Sequence, residues 1–543
     1  MADAEESGLI AGIISGYQFE GASIHLGAAL LDGIPHPEAE VRLPLAMMNR
    51  HGLVAGATGT GKTITLQVMA EQLSAQGVPV FLADIKGDLT GLSTPGSGTE
   101  KLLARTMSVG QQWSAQSFPV EYFALGGHGV GVPIRATISA FGPLLLSRVM
   151  DLNETQESSL TLIFHYADGA GLELFNLADL RAVIAYLTSA EGKDSLSELG
   201  GLSKSTAGVI LRKLITLEAQ GMTDFFGEPE FDTADLLRVT DDGKGIISCL
   251  ELPTLLHTPQ LFSTFLMWLA ADLFADLPEV GDQDKPKLVF FLDEAHLLFN
   301  DASKEFLRSI QTTVRLIRSK GVGIFFVTQT PKDVPADVLG QLANRVQHAL
   351  RAFTPDDAKA LKATVSTFPT SGYDLAEVLT SAGTGEAVVT VMNDGGAPTP
   401  VAWTRMTSPE STMGPSAPNV VEKVVSASPL LGRYVTPVDS HSAAEKLATL
   451  PAGNASARTT SSADDDARRI EESILGAPTE NTPSDRASRP RTMTPPPLGA
   501  PTSSGGAQND ELMDFAMKAA GAIGAELARG LFGTQRRRSR RRW

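Results

Sequence analysis

LVAGATGTGKT, Leu53 to Thr63, is the stretch that decides the fold of this 543-residue chain. A short apolar strand, Gly52 to Ala55, runs into a glycine-rich turn, and a helix, Ile64 to Leu73, follows the turn. The turn fits the pattern G-x-x-x-x-G-K-[ST], whose glycines let backbone N–H groups close around a phosphate chain because no Cβ intervenes. The strand before it and the helix after it are the context that this pattern requires. The stretch therefore predicts a nucleoside triphosphate site.

The residue types in the loop match the chemistry of phosphate binding. We expect Lys62 to place its charge on the β- and γ-phosphates and the Thr63 hydroxyl to offer an oxygen ligand to Mg²⁺. The positive end of the following helix faces the same phosphates. ATP and Mg²⁺ are therefore the predicted cofactors. The residues expected to contact the nucleotide are Gly56, Ala57, Thr58, Gly59, Thr60, Gly61, Lys62, Thr63 and Ile64.

A second motif, KLVFFLDEAHLLF, contains an apolar run from Leu288 to Leu292 that is typical of a strand buried on both faces. Asp293 follows the strand and is predicted to hold Mg²⁺, directly or through water. Glu294 is predicted to orient and deprotonate the attacking water. Carboxylates after strands are common, and it is the glycine-rich loop that makes this pair informative. His296 is either a functional residue or a satisfied core or interface histidine.

The segment FLRSIQTTVRLIRSKGVGIFFVTQTP predicts a helix carrying Arg315 and Arg318, a glycine turn, and a strand from Gly323 to Thr328. Gln329 follows this strand. An amide in that place can sense the γ-phosphate or position water, or it can simply cap the strand. Gln329 is taken as a candidate catalytic residue together with Lys62 and Glu294.

A further strand is predicted from Val78 to Ala83, and it ends in Asp84. Ligands of open α/β sheets lie at the carboxyl ends of the strands. Asp84, Lys86 and Asp88 are therefore candidates to reach the nucleotide or a neighbouring subunit. The alternative is an ordinary solvated turn with charged side chains.

The pattern along the chain predicts an α/β fold with a mostly parallel sheet. Helical periodicity between two stretches of strand periodicity indicates a helical insertion, and a later stretch rich in Pro, Ser, Thr and Ala indicates disorder. The predicted parts are 1–45, a short β-rich segment; 46–141, the first part of the core; 142–240, the helical insertion; 241–405, the second part of the core; 406–508, a mostly disordered linker with short docking helices; and 509–543, an amphipathic helix with an arginine-rich tail.

The charge is unevenly distributed. The net charge is −17, yet six arginines stand between Arg536 and Arg542. A body this acidic is a poor general binder of nucleic acid, so any nucleic acid must be held in a local groove or channel. The tail itself could contact nucleic acid, dock on an acidic patch of its own chain, or act as a solvated tail.

Cysteine and hydropathy patterns place the chain among soluble globular proteins. The single cysteine, Cys249, lies in an apolar run and is expected in a strand core, which argues against disulfides and cysteine-bound metal and fits the cytoplasm. The acidic N-terminus does not resemble a signal peptide. The longest apolar stretch, from Leu261, carries Asp272 and Asp276 and is expected to form a buried helix and no membrane span.

Taken together, NRHGLVAGATGTGKT, FLADIKGDL, FGPLLLSR, LFSTFLMWL, KLVFFLDEAHLLF, RSKGVG, VTQ and GTGEA resemble the HerA-like branch of the HerA–FtsK superfamily. The resemblance implies a RecA-like P-loop ATPase that forms a hexameric ring and moves DNA or another polymer. It implies that Arg318, in RSKG, is offered to the nucleotide of a neighbouring subunit. The β-barrel that precedes the motor of archaeal HerA helicases is expected to be reduced or absent, because the stretch before the P-loop is short.

The sequence predicts one leading function and leaves two alternatives open. The leading prediction is a Mg²⁺-dependent ring ATPase that couples hydrolysis to movement along DNA, single- or double-stranded. The alternatives are a protein-handling motor of the secretion type or a nucleotide-dependent switch. A scaffold that binds nucleotide with little turnover is less compatible with the presence of both Glu294 and Gln329.

Overall fold

Over the residues that the structure describes, the strand that leads into the glycine-rich turn lies inside a sheet of 12 strands. The computed structural model describes residues 2–252, 259–281, 283–299 and 304–449. The strands are β1 (Ser23–Leu31), β2 (Ile34–Pro44), β3 (Gly52–Ala55), β4 (Val80–Asp84), β5 (Val120–Leu125), β6 (Val132–Ile134), β7 (Ile247–Glu251), β8 (Leu288–Leu292), β9 (Val322–Thr328), β10 (Asn344–His348), β11 (Glu386–Thr390) and β12 (Ala402–Met406).

The sheet is mostly parallel, as predicted. Its order is β2-β1-β12-β11-β10-β3-β9-β8-β4-β7-β5-β6. Neighbours from β10 to β6 are parallel, whereas the pairs from β2 to β10 are antiparallel. The carboxyl ends of the parallel strands therefore share one edge, and β9 lies there between the P-loop strand β3 and the acidic strand β8.

Helices cover the sheet and build the insertion. Every residue of β8 and β9 is buried, which explains their continuous apolar runs. The helices are α1 (Ala2–Gly16), α2 (Lys62–Ala75), α3 (Glu100–Ser108), α4 (Ile138–Val149), α5 (Glu154–Ala170), α6 (Leu177–Thr188), α7 (Lys204–Ala219), α8 (Pro259–Asp276), α9 (His296–Phe299), α10 (Lys304–Ile317), α11 (Ala336–Leu339), α12 (Pro355–Val365), α13 (Leu375–Ser381), α14 (Pro418–Ser426), α15 (Leu431–Tyr434) and α16 (Ala443–Ala448).

The helical insertion is present as α4 to α7, between β6 and β7. Its helices begin with side-chain caps, and Asn153 and Asn176 each form a reciprocal capping box at the start of α5 and α6. The apolar stretch from Leu261 forms α8, which buries Phe265, Trp268 and Leu269. In the part of the chain that the structure describes, no helix is long and apolar enough to cross a membrane.

The N-terminal segment differs from its prediction. Residues 9–16, expected as strand, belong to helix α1. Ile10, Ile13 and Tyr17 are buried at helical spacing, and the Tyr17 hydroxyl donates to the carbonyls of Val389 and Pro400. The glycines in this segment suggest turns in the sequence, but burial of one apolar face outweighs their low helix propensity. The later strands β1 and β2 extend the central sheet.

The stretch after residue 406 also differs where it is described. It is expected to be mostly disordered, yet residues 410–412 are hydrogen-bonded to side chains of helix α2. Gln67 donates to Ser411 Oγ at 2.6 Å, and the buried Glu71 carboxylate accepts from the backbone N–H groups of Glu410 and Ser411. A short helix, α16, lies where a docking helix was predicted. Residues 450–543, with the predicted linker, closing helix and arginine tail, lie outside the described residues, and the domain boundaries stay predictions.

Candidate nucleotide site

The P-loop has the backbone that a phosphate cradle requires. Gly59 and Gly61 have φ values of 80° and 112°, which favour glycine. A Cβ on Gly56 would lie 2.5 Å from His348 Cβ, so the loop could not pack against β10 with a larger residue there. Gly56 N–H donates to Thr328 O at 3.2 Å and Ala57 N–H to Ala349 O at 2.8 Å. The loop is thus tied to both neighbouring strands.

The start of α2 is available for an anion. Gly61 is its N-cap residue and supplies no side-chain cap, so the first N–H groups of the helix keep their capacity to bind phosphate. The Lys62 side chain is buried, and its Nζ donates to Ala57 O at 3.2 Å. Burial lowers the pKa of Lys62, and the nearby Glu294 opposes that shift. The backbone from Gly56 to Ile64 is thus compatible with the predicted cradle, and Thr63 lies on the first turn of the helix.

The acidic pair emerges at the same edge of the sheet. Asp293 is buried, and its Oδ1 accepts from Glu294 N–H at 2.9 Å. No hydrogen-bond donor among the described residues reaches its Oδ2. Burial raises the pKa of Asp293 to about 6. An oxygen without a hydrogen-bond donor on a buried carboxylate, at the edge of the sheet that also carries the P-loop, fits a hard cation such as Mg²⁺.

Glu294 has a left-handed backbone, with φ of 46°. This conformation is strained for a residue with a side chain, and strained residues cluster at functional sites. The Glu294 carboxylate pairs with Lys86 Nζ through Oε1, and its Oε2 lies 3.2 Å from His296 Nδ1. Burial alone would raise the pKa of Glu294, but its hydrogen bond and charge interaction with Lys86 leave it lowered. His296 lies beside the predicted catalytic carboxylate but makes no hydrogen bond to it through Nδ1, and its functional role stays a prediction.

The turn after β4 contributes Lys86 to this group. The buried Asp84 carboxylate accepts backbone N–H groups of Lys86, Gly87 and Leu89 at 3.2, 2.8 and 2.8 Å, so it shapes the turn. Lys86 Nζ also lies 3.9 Å from Asp293 Oδ2. Lys86 therefore lies with the acidic pair, whereas Asp84 has a structural role in the turn.

Gln329 follows β9 at the edge that carries the P-loop and the acidic pair. Its side chain is exposed. Asp333 holds the turn around it by accepting from the Thr328 hydroxyl at 2.8 Å and from Thr330 N–H at 2.9 Å. Because β9 lies between β3 and β8, Gln329 stands between the two motifs. This placement is compatible with the predicted role in water positioning or sensing.

Arg318 lies at the opposite edge of the sheet. It precedes β9, whose seven residues span about 20 Å. Burial, with a smaller contribution from the charge of Arg318, lowers the pKa of the His51 ring to about 4. His51 Nε2 is hydrogen-bonded to Val314 O, and His51 Nδ1 accepts from Ile324 N–H. These two hydrogen bonds fix the end of α10 to the start of β9. Arg318 is therefore remote from the P-loop of its own chain.

Two residues near the loop were missed from the sequence. Arg351 Nη2 donates to Thr58 O at 3.3 Å, and the buried His348 Nε2 lies 2.9 Å from Thr65 Oγ1. Both follow from β10 being the parallel neighbour of β3. The rule that strand ends carry ligand groups could have pointed to the segment HALRAF, but the sheet order is not visible in the sequence.

Beside the site, β4 and β7 bring together Asp84, Cys249 and Glu251, whose potential ligand atoms lie within 4.8 Å of one another. Cys249 is buried in a strand core, as predicted, and its Sγ donates to Glu251 Oε1 at 3.4 Å. Burial raises the pKa of the Cys249 thiol, so it stays protonated. Burial, followed by the charge of Asp84, raises the pKa of Glu251 to about 8.

This buried carboxyl predicts a pH effect on stability. Between about pH 4.5 and 8 the folded state keeps a proton on Glu251 that the unfolded state has lost, so the unfolding free energy falls as pH rises. The loss is about 1.4 kcal/mol per pH unit at most. Glu251→Gln should remove this component in thermal melts at pH 5, 6.5 and 8. The exposed Glu377→Gln is the matched control, and an unchanged pH profile in Glu251→Gln would contradict the prediction.

The parallel sheet, the phosphate cradle and the adjacent acidic pair define a P-loop ATPase fold. The sequence model described as helicase HerA-like C-terminal matches residues 31–541. The chain belongs to this HerA-like family, as its motifs predicted. In a comparison with curated proteins, none matches the chain.

Solved structures with a similar arrangement include two of the plasmid coupling protein TrwB. With the ATP analogue ADPNP, TrwB has 15% identity and a TM-score of 0.47 over 75% of this chain and 95% of its own. With ADP and Mg²⁺, it has 15% identity and a TM-score of 0.46 over 73% of this chain and 100% of its own. VirB4 of Thermoanaerobacter pseudethanolicus has 14% identity and a TM-score of 0.43 over 74% of this chain and 98% of its own.

Proposed function

We propose that this protein is a Mg²⁺-dependent ATPase in which the P-loop binds ATP and Glu294 activates the attacking water. The observation that carries the proposal is the meeting of the buried Lys62 with Asp293 and Glu294 at one edge of the sheet. Lys62 follows the P-loop after β3 and the acidic pair follows β8, with β9 alone between these two strands. Burial lowers the pKa of Lys62, and the charges of both carboxylates oppose that shift. A phosphate-binding cation and a general base must be neighbours for water to attack a bound γ-phosphate.

In this proposal each residue has one task. The backbone from Gly56 to Ile64 wraps the phosphates, and Lys62 neutralises charge on the β- and γ-phosphates. Thr63 and Asp293 would hold Mg²⁺, which supplies charge neutralisation and orientation of the phosphates when bound. Glu294 takes the proton of the water, and Gln329 helps to place that water.

We further propose that the active form is a ring, most simply a hexamer, in which Arg318 serves the nucleotide of a neighbour. The position of Arg318 supports this idea, because β9 separates it from its own P-loop by about 20 Å. The buried Lys320 holds the turn by donating to Leu277 O at 2.9 Å and lying over the Phe274 ring. A fixed turn at the far edge is suited to a contact between subunits.

The favoured polymer is DNA, with movement along it driven by hydrolysis. Membership in a family described as helicase-like supports DNA, whereas the net charge of −17 opposes broad nucleic-acid binding. Because the chain is acidic, a second candidate function is retained, namely a motor that handles protein or a nucleotide-dependent switch. The two differ in whether DNA changes the rate of hydrolysis.

The decisive assay measures ATP hydrolysis by the full chain with Mg²⁺, alone and with single- or double-stranded DNA. A DNA motor should hydrolyse faster with one of them, and the effect should weaken as salt rises. Hydrolysis that DNA leaves unchanged at low salt would reject the DNA proposal and favour the second candidate. Absence of Mg²⁺-dependent hydrolysis under all conditions would reject the ATPase itself.

The arginine tail has its own test, because its three possible roles differ in salt dependence. If all six arginines neutralise phosphates, deletion of residues 535–543 should reduce the slope of log K against log salt by about 4 to 5 units. Replacing the arginines with lysines is the matched control and should keep most of the slope. An unchanged slope and affinity after deletion would remove the tail from DNA binding.

A further inference from the structure

Lys86 contacts the two carboxylates that the proposed hydrolysis requires. Its ammonium group pairs with Glu294 Oε1 and lies 3.9 Å from Asp293 Oδ2. The proposed role of Glu294 needs a carboxylate oxygen that can accept from water. An oxygen that already accepts from a lysine is not available to water in that direction.

The turn aims Lys86 at this place. The Asp84 carboxylate is fully buried and binds three backbone N–H groups of the turn, including that of Lys86. Gly87 has φ of 73°, which lets the turn close, and the buried Leu89 anchors its far side. The Lys86 backbone is therefore fixed, while its flexible four-carbon side chain is half-exposed and can reach more than one partner.

A second partner would lie nearby when the P-loop holds a triphosphate. Lys86 pairs with Glu294 at the edge of the sheet where the P-loop also lies, because only β9 separates β3 from β8. Burial lowers the pKa of Lys62, and the charge of Lys86 adds to that effect. A γ-phosphate bound by Lys62 brings concentrated negative charge to that edge of the sheet, and lysine is a strong phosphate partner. ADP brings no γ-phosphate and thus competes less for Lys86.

We propose that Lys86 is a positioning residue that exchanges Glu294 for the γ-phosphate of a bound nucleoside triphosphate. The exchange leaves Glu294 Oε1 open to water only when a γ-phosphate is present. Glu294 Oε2 lies 3.2 Å from His296 Nδ1 and has no hydrogen-bond partner among the described residues, so Oε1 is the oxygen that the exchange changes. This inference rests on the proposed function, because it requires that the P-loop binds a triphosphate.

Binding, with no turnover, tests the exchange. Calorimetric titrations of the full chain with Mg²⁺ and either ADPNP or ADP would compare wild type, Lys86→Met, Glu294→Gln and the double variant. Loss of a charge-assisted bond to phosphate should weaken ADPNP binding by Lys86→Met about 10- to 100-fold and leave ADP binding nearly unchanged. Lys86→Arg should restore part of the ADPNP affinity, because it keeps the charge.

The double variant separates exchange from simple attraction. Glu294→Gln releases Lys86 from its ion pair, so ADPNP should bind several-fold more tightly when Lys86 is present and not when it is Met. Lys359→Met, at an exposed lysine paired with Asp356, is the matched surface control and should alter neither affinity. Circular dichroism and thermal melts establish that each variant is folded. If Lys86→Met does not fold, Lys86→Gln replaces it in the titrations.

Two results would overturn the exchange. One is an equal loss of ADP and ADPNP affinity in the Lys86 variants, and the other is the same effect of Glu294→Gln with and without Lys86. Either result leaves the ATPase proposal intact, since that proposal assigns no task to Lys86. Failure of the wild type to bind either nucleotide would reject both proposals together.

Discussion

Glu294→Gln should bind ATP and hydrolyse it at least about 10³-fold more slowly than wild type. The amide keeps the size of the side chain but cannot take a proton from water, so binding and hydrolysis are separated. Phosphate release from saturating ATP measures turnover, and calorimetry with ADPNP measures binding. The strained backbone of Glu294, with φ of 46°, is set by the fold around it and should persist in the variant.

Lys62→Ala is the companion variant with a different expected failure. It removes the buried cation of the cradle, so ATP binding itself should be lost or strongly weakened. Glu377→Gln makes the same chemical change as Glu294→Gln at an exposed site on α13 and should keep the wild-type rate. Turnover close to wild type in Glu294→Gln would contradict the assignment of the catalytic base.

The motifs of the site could be predicted because their signal is local. The strand β3 and the strand β8 have the predicted bounds, since a buried parallel strand requires a continuous apolar run. The glycines of the loop indicate backbone conformations that other residues rarely adopt. The helical insertion was visible for a similar reason, as its apolar residues recur at helical spacing between two stretches of strand periodicity.

The partners of these motifs could not be predicted, because they depend on contacts between distant parts of the chain. The ion pair of Lys86 with Glu294 needs β4 beside β8, and the contact of Arg351 with Thr58 needs β10 beside β3. Sheet order of this kind has no local signature. The packing of residues 410–412 on Glu71 could not be predicted for a different reason. The prediction of disorder rests on composition, and composition does not show which carboxylate is buried and hydrogen-bonded.

Mixing two inactive variants, Arg318→Ala and Glu294→Gln, should restore hydrolysis if Arg318 acts on a neighbour. In a ring with head-to-tail contacts, about a quarter of the interfaces in an equal mixture pair an intact Glu294 with an intact Arg318 from the next subunit. The mixture should then reach about a quarter of the wild-type rate, while each variant alone stays near background. Because Arg318 is remote from its own P-loop, each restored site should combine Glu294 of one subunit with Arg318 of the next subunit.

The matched control mixes Lys62→Ala with Glu294→Gln. Both of these groups belong to the site of one chain, on β3–α2 and after β8, so no mixed interface contains both intact. This mixture should stay inactive although its subunits exchange as freely as those of the first. Exchange is measured by labelling the two variants with different dyes, and ring size by light scattering with and without nucleotide. Exchanged rings without rescue in the Arg318→Ala mixture would show that Arg318 does not complete a neighbour's site. Rescue in the control mixture would show that rescue is not specific to Arg318.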